Sequence, residues 1–532
     1  MSVDCDVVIV GAGPVGLTSA LLLQRMGHRV QVYERHAKHY ALPRAVFLSH
    51  QAVRMFRALG VLERMKSTQA LQELHGRVSD IGTYVDANGH TLSEHRLNSY
   101  TSRSGTALAF AMHQPGVEEE LENACRERGI PVYRSAEVRD IVDNGRYVEV
   151  NFAKPGNIEG TMVSLNTVTA SFVVGCDGAK STVRRSSKMG WFEYEAASSR
   201  WLVVDIIPTV SGAMSQWKDG YSPKQILDPK RPRSSVPSQL ARRRWEFMVM
   251  PNESTEMVTT DEFVWKMVAL FECGPGTGAI ERRTVYSISG GWAESFAQGR
   301  VALAGDAAHL APQFLGQGLN SGLRDAKSLA WRIDFALRHP AKNWRQLMTD
   351  YSTEQLGTTK QFVTAAKAIE HILTVTDPED AIKRDAQLRM GLELPIPDLE
   401  KLGTPGMHLG DREATCEVGS LFIQDRIEKD RKVGFFDQVI GDGWVLIANE
   451  TADLADTMAV STQEEFGNLL GGYLVNFSAK GGYRDVSGRY QQWFHDNDAV
   501  AVLVRPDYYT YGIAKTQGDI EALVKSAINH LS

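Results

Sequence analysis

Gly11-Ala12-Gly13-Pro14-Val15-Gly16, with Glu34 eighteen positions after the last of them, carry the clearest chemistry in the chain. Glycines at this spacing permit a tight turn, close approach of a pyrophosphate to bare backbone, and close packing of the next helix. An acid at that distance can accept a hydrogen bond from a ribose hydroxyl, so the implied chemistry is dinucleotide binding. A second stretch, Val301 to Trp331, places Gly305-Asp306 after the apolar run Val301 to Ala304, where a carboxylate at a strand end can grip a sugar hydroxyl. Gly316-Gln317-Gly318 then leads into a helical pattern whose first N–H groups would face an anion. Taken alone, a Gly-rich strand-to-helix connection looks much the same. Asp177-Gly178, after Phe172-Val173-Val174-Gly175-Cys176, reads by itself as a turn, with Ser181 capping a short helix that carries Arg184 and Arg185.

These residues need elements to hold them. Val7 to Val10, a helical pattern through Leu17, Ala20, Leu21 and Leu22, and Val30 to Tyr33 form a βαβ unit. The loop after Arg35 carries Arg44, which could cross toward a pyrophosphate or lie solvated on the surface. Gln114 stands near the start of a helix over Val117 to Arg128, to meet a ligand or merely to cap. Val132 to Val174 alternates like antiparallel strands joined by Asn144-Gly145 and Pro155-Gly156 turns. From Gly190 to Gly290 the character is that of an inserted sheet, with strands at Trp201 to Ile207, Arg244 to Met250 and Thr284 to Ser289. Tyr221, Gln225, Arg244 and Trp245 are its conceivable pocket residues, each also readable as packing or solvated surface.

Behind Gly318, Leu319, Leu323, Ala326, Leu329, Ala330, Ile333 and Leu337 mark one apolar helix face. Helical patterns continue from Trp344 through Leu392 and stop at Pro395-Ile396-Pro397, a linker signal. Trp444 to Ala448, Thr462 to Leu470, Ala499 to Val504 and a last helix capped by Asp519 then suggest a small α/β domain.

The chain has 532 residues, 23% of them charged, and a net charge of −6, which gives no basic excess for nucleic acid or anionic membrane. No apolar run is long enough to span a bilayer and no signal peptide is visible, so a cytoplasmic location is expected. Five scattered cysteines without a C-x-x-C pair indicate neither disulfides nor a bound metal.

The fingerprint with Glu34-Arg35, then Cys176-Asp177-Gly178, then Gly305-Asp306-Ala307-Ala308-His309 with Gly316-Gln317-Gly318-Leu319-Asn320-Ser321-Gly322, follow the order found in single-component FAD-dependent aromatic hydroxylases. The chain resembles that family, of para-hydroxybenzoate hydroxylase fold, throughout. Its likeness is greatest to the meta-hydroxyphenylpropionate, phenol and polyketide hydroxylases. Leu42-Pro43-Arg44-Ala45, Trp201 to Ile206, Asp228 to Pro232, Trp245 to Pro251 and Val504 to Asp507 support it.

The resemblance implies an α/β fold: a Rossmann-like FAD-binding domain (1–190, including part of the substrate sheet at about 78–104, completed by 291–400). A substrate-binding β-sheet domain (191–290) and a thioredoxin-like C-terminal domain (405–532) without redox cysteines complete it. It implies that Gly11, Gly13, Pro14, Val15, Gly16, Glu34, Arg35, Arg44, Gln114, Asp177, Asp306, Gly318, Leu319 and Asn320 contact FAD. Gly318, Leu319 and Asn320 would offer backbone N–H groups to the flavin pyrimidine edge, and Asp177-Gly178 would also meet passing NAD(P)H. Pro312 would lie beside the reacting ring; Tyr221, Gln225 and Arg244 stay substrate candidates on the reading of the inserted sheet alone.

The implied activity is hydroxylation of a phenolic small molecule with O2 and NAD(P)H through a flavin hydroperoxide; a homodimer is an admissible assembly. Tyr221 and His309 have the chemistry of a catalytic base, with His309 also fitting a structural role. The alternatives are an FAD-dependent oxidase or epoxidase of the same fold and a non-catalytic nucleotide-binding escort.

Overall fold

Four parallel strands, Val30–Tyr33, Cys5–Val10, Leu165–Gly175 and Val301–Leu303, lie side by side in that order. They end level: Val10 stands opposite both Tyr33 and Gly175, and Gly175 opposite Leu303. Val7, Val8 and Ile9 are fully buried, as expected for a parallel strand covered on both faces. Helix Pro14–Arg25 packs on this sheet and against helices Gln114–Glu127 and Gln317–Arg338. The structure, a computed structural model, describes residues 3–42, 44–73, 81–96, 102–153, 165–209, 223–239, 242–395, 417–477 and 482–532. The hairpin Glu137–Asp143/Val148–Ala153 turns at Asn144-Gly145 and hangs antiparallel on Leu165–Gly175; the Pro155-Gly156 turn lies outside the described residues.

A second sheet of eight strands stands beside the first. Its centre is Phe192–Pro208, paired antiparallel with Gly278–Trp292 on one side and Arg243–Val249 on the other. Arg233–Pro237, Lys224–Ile226, Ile81–Val85 and Thr91–Arg96 extend it outward. At the opposite edge His309–Leu310 pairs with Gly291 and Trp292, so the chain just after Asp306 is stitched into this sheet. The segment from Ala304 to Gly316 therefore bridges the two sheets.

Two expectations need refinement. The stretch Trp344 to Leu392 is two helices, Trp344–Leu373 and Pro378–Arg389, because Asp377 accepts from the N–H groups of Glu379 and Asp380 and caps a new start. Asp519 is the first residue of the final helix rather than its cap, and its carboxylate turns back to Thr516 N–H and Oγ1.

The C-terminal part carries a four-stranded sheet in the order Tyr473–Asn476, Val445–Ala448, Ala501–Val504, Thr510–Ala514, parallel in its first pairing and antiparallel in the others. Its core merges with the long helix Gln317–Arg338: Trp331 meets Trp444 edge-on at 5.8 Å, and Phe335 joins the same cluster. The polar side of that helix is consequently buried as well. Lys327 pairs with Asp442, and Arg332 with Glu354. Further ion pairs join the C-terminal part to the rest, Arg54 with Asp437 and Arg103 with Glu417.

Candidate functional site

The four parallel strands of the first sheet, with Val132–Tyr133 a fifth parallel neighbour outside Val30–Tyr33, deliver their following residues to one edge of the sheet, the edge at which open α/β sheets bind ligands. Gly11 has φ +105°, and a Cβ there would stand 2.4 Å from Cys176 O; a Cβ on Gly16 would stand 2.0 Å from Gly11 O. Both glycines are required by the protein's own packing. Gly13 is different: φ −78° and ψ 179° suit any residue, and no atom lies within 4 Å of a Cβ built on it. The space beside it, at the N-terminus of the helix begun by Pro14, is left open by the protein. Glu34 accepts from Ala12 N–H (2.9 Å) and His36 N–H (2.8 Å), which holds its carboxylate against the fingerprint loop. Arg35 is exposed, with Nε against the His36 ring.

Gly305, φ +64°, packs against Val15, and Asp306 follows in a short 3-10 turn. The Asp306 carboxylate is open to solvent yet has protein packed densely around it, and this desolvation raises its pKa against the opposing fields of His309 and Arg44. An acid both accessible and surrounded lies in a cleft. Arg44 is exposed above the Tyr40 ring at 4.6 Å. Gln114 accepts from Ala45 N–H at 2.8 Å and donates to Glu118, tying the Arg44 segment to helix Gln114–Glu127.

The long helix begins at Gln317, one residue after Gly316 in the left-handed region, where a side chain would strike Phe47. By helix geometry the unpaired N–H groups belong to Gln317, Gly318 and Leu319, while Asn320 lies one position too far along. Its side chain acts instead: Oδ1 accepts from Ser49 N–H at 2.9 Å and Nδ2 donates to Gly316 O at 2.9 Å, pinning the helix start. No atom lies within 4 Å of a Cβ built on Gly318. Asp177 accepts from Thr182 and Val183 N–H with Oδ2, whereas Oδ1 is buried and takes no hydrogen bond among the described residues. Arg184 donates to Ala307 O at 2.6 Å and so joins the Asp177 loop to the Asp306 turn. Two open spaces beside glycines, two free helix N-termini, a surrounded acid and an orphaned carboxylate oxygen form a donor set that fits an extended dinucleotide.

Facing this cleft is one side of the second sheet. Asp205 and Arg244 pair across strands (2.8 and 3.0 Å), and Arg244 also donates to Arg44 O at 2.6 Å. That guanidinium is thus engaged in closing the Arg44 strap onto the sheet. Pro312 is buried and precedes a 3-10 turn, from which Phe314 packs edge-on against Trp201 at 5.4 Å and Gln313 donates to Glu246 at 2.9 Å. Gln225 lies in the same cross-strand row as Ser234 and Glu246, on the same side of the sheet. Trp245 points the other way, into the core with Phe271. Tyr221 lies outside the described residues. His309 is fully buried between Phe296 and Phe362, with Nε2 2.7 Å from Asp325, which also accepts from Gly305 N–H. Its place is behind the Asp306 turn, supporting it. Glu246 and Gln313 were not singled out by sequence, although the alternation Arg244, Glu246 against Trp245, Phe247 signals a strand with one polar buried face.

A family model described as FAD binding domain matches residues 4–366, and one described as HcaD C-terminal domain matches 419–529. The chain belongs to the FAD-binding domain family. Among curated relatives of this flavoprotein, a probable NADH-specific resorcinol 4-hydroxylase of Rhodococcus jostii is 28% identical over 98% of this chain and 94% of the relative. A 3-(3-hydroxy-phenyl)propionate/3-hydroxycinnamic acid hydroxylase of Mycolicibacterium gilvum is 30% identical over 95% of this chain and 88% of the relative. Among solved structures, aklavinone-11 hydroxylase in complex with FAD and aklavinone superposes with a TM-score of 0.80 at 21% identity, covering 99% of this chain and 100% of that one, a likeness of fold. Among the described residues of the flavoprotein, no helix is long and apolar enough to cross a membrane and no group of side chains is arranged to hold a metal ion.

Proposed function

We propose that the protein is an FAD-dependent monooxygenase that hydroxylates a phenolic ring with O2 and a reduced nicotinamide. One observation supports this above the rest: a cleft shaped for a dinucleotide is closed by a polar sheet face through the Gln313–Glu246 and Phe314–Trp201 contacts. Hydroxylases of phenols among the relatives at nearly full length support the reaction class, and the name of the Rhodococcus jostii relative makes NADH the first donor to test.

FAD, when bound, supplies the redox chemistry that accepts a hydride and activates oxygen. The chain's residues bind and shield it. Glu34 would take a ribose hydroxyl, the N–H groups near Gly13 the pyrophosphate, and Asp306 the ribityl or pyrophosphate end. The N-terminus of the helix at Gln317 to Leu319 would favour negative charge on the flavin pyrimidine edge. Arg44, Gln114 and Asp177 would close around the cofactor. Buried Pro312 with Phe314 and Trp201 would form an apolar wall that keeps water from the reacting atoms. The C-terminal part, with its mixed four-stranded sheet and no C-x-x-C pair, is proposed to be a thioredoxin-like domain in a packing role.

The test is incubation with FAD, NADH, isotopically labelled O2 and a set of phenols. A ring product carrying one labelled oxygen is expected; hydrogen peroxide with unlabelled product would make the protein an oxidase. Asp306→Ala should lose FAD on gel filtration, and full retention would remove Asp306 from the cofactor site.

A further inference from the structure

We propose that the carboxylate of Glu246 meets the hydroxyl of the phenolic substrate and takes its proton, a role that rests on the hydroxylase function above. Glu246 stands in the middle of the second sheet, opposite Val203 on one neighbouring strand and Ser234 on the other, and is only 9% exposed. Among the described residues both of its hydrogen bonds fall on one oxygen: Oε2 accepts from Ser234 Oγ at 3.2 Å and from Gln313 Nε2 at 2.9 Å. Oε1 takes none among the described residues. Gln313 belongs to the turn between Asp306 and the helix start at Gln317, so Glu246 lies where the sheet closes on the cofactor cleft.

The charged groups around it are Arg244 on its own strand, Asp205 on the central strand and Arg282 beyond. Asp205 holds Arg244 by two hydrogen bonds and also lies within 4.0 Å of Arg282, so both cations are drawn to Asp205. Burial dominates what remains and raises the Glu246 pKa, with Arg244 as the main opposing influence. A carboxylate whose pKa is raised by burial is a stronger base than a solvated one. In the step, the phenol O–H bond breaks, the proton goes to the carboxylate, and the electron pair stays on the ring oxygen, where it enriches the ring for attack on oxygen. The proton returns to that oxygen in the product.

A purely structural Glu246 would hold the Gln313 turn and nothing more. Glu246→Gln separates the two roles, because an amide oxygen still accepts from Gln313 and Ser234 but takes no proton. Wild-type, Glu246→Gln and Glu246→Asp holoenzymes would be titrated with resorcinol and with 3-(3-hydroxyphenyl)propionate near pH 7 without NADH, reading the phenolate absorption band. They would then be turned over with NADH and labelled O2. Expected are a phenolate band in wild type, a neutral bound phenol in Glu246→Gln with labelled product formed about a hundredfold more slowly and at a lower yield per NADH, and a band partly restored in Glu246→Asp. An unchanged band and yield in Glu246→Gln, or neither probe bound as the anion by wild type, would overturn the proposal. If Glu246→Gln fails to retain FAD, Glu246→Asp decides: its band should need a higher pH, and an unshifted band overturns the role. A wild-type phenolate band without labelled product would sink the hydroxylase reading and leave Glu246 standing.

Discussion

Val15 and Gly322 compete for one space. A Cβ on Gly322 would stand 2.6 Å from Val15 Cγ2 and 2.9 Å from Gly305 Cα, so the fingerprint helix, the Asp306 turn and the long helix interlock without room for a methyl group. Gly13, a few residues away, has open space and an ordinary extended backbone. Gly322 is required by packing within the protein; nothing in that packing requires Gly13, which fits the proposed pyrophosphate contact.

Gly322→Ala should therefore destabilise the FAD-free protein itself, by about 1–3 kcal/mol as overpacking does. The denaturant midpoint of apoprotein measures it. A midpoint equal to wild type would mean that Val15 and the Gly305 turn move apart at little cost.

Gly13→Ala should leave apoprotein stability within about 0.5 kcal/mol of wild type. FAD affinity should nonetheless fall at least about tenfold, or about 1.4 kcal/mol, because the methyl group would fill the space proposed for the pyrophosphate. Fluorescence titration with FAD tests this, and undiminished affinity would place the pyrophosphate elsewhere.

His39 lies on the segment that carries Arg44 and meets Glu118 at 3.7 Å and Glu122 at 2.8 Å, both on helix Gln114–Glu127. Those two carboxylates, Glu118 first, raise its pKa from 6.5 to about 9. A histidine pKa raised by folding stabilises fully below the unfolded value near 6.5 and ceases to do so as pH rises through about 9. With the side chain 28% exposed, screening reduces the contribution to about 1–2 kcal/mol. Wild type should be more stable than His39→Gln at pH 6 and equal to it by pH 10, by urea unfolding at each pH; a constant difference would contradict the assignment.

What could be read from the chain depended on how local each signal was. The fingerprint was legible because its strand, glycine loop, helix and Glu34 lie within 30 residues, and the level ends of the four parallel strands then bring Asp177 and Asp306 to it. The long helix was legible only on its apolar side. Lys327 and Arg332 are buried because Trp444 and its neighbours dock there from more than 100 residues away, a contact that periodicity does not register. Glu246 was hidden for a related reason. Its importance comes from Gln313, 67 positions distant, and not from its neighbours Trp245 and Phe247.

One of the points at which the C-terminal part docks is Glu354, which is fully buried on helix Trp344–Leu373. It accepts from Arg505 at 2.8 Å on each oxygen and from Arg332 at 2.7 Å, while Asp507 takes Arg505 and the Trp331 indole N–H. Glu354→Gln removes the anion and leaves two buried guanidinium groups under-compensated, which should cost about 3–5 kcal/mol. Trypsin should then release C-terminal fragments at lower urea than in wild type. In the cycle with Arg505→Gln, the double variant should be less destabilised than the sum of the singles, by about 0.5–3 kcal/mol, because each single leaves the other member of the pair buried without its partner. Strict additivity would mean that Arg332 alone balances Glu354 and that Arg505 is held by Asp507.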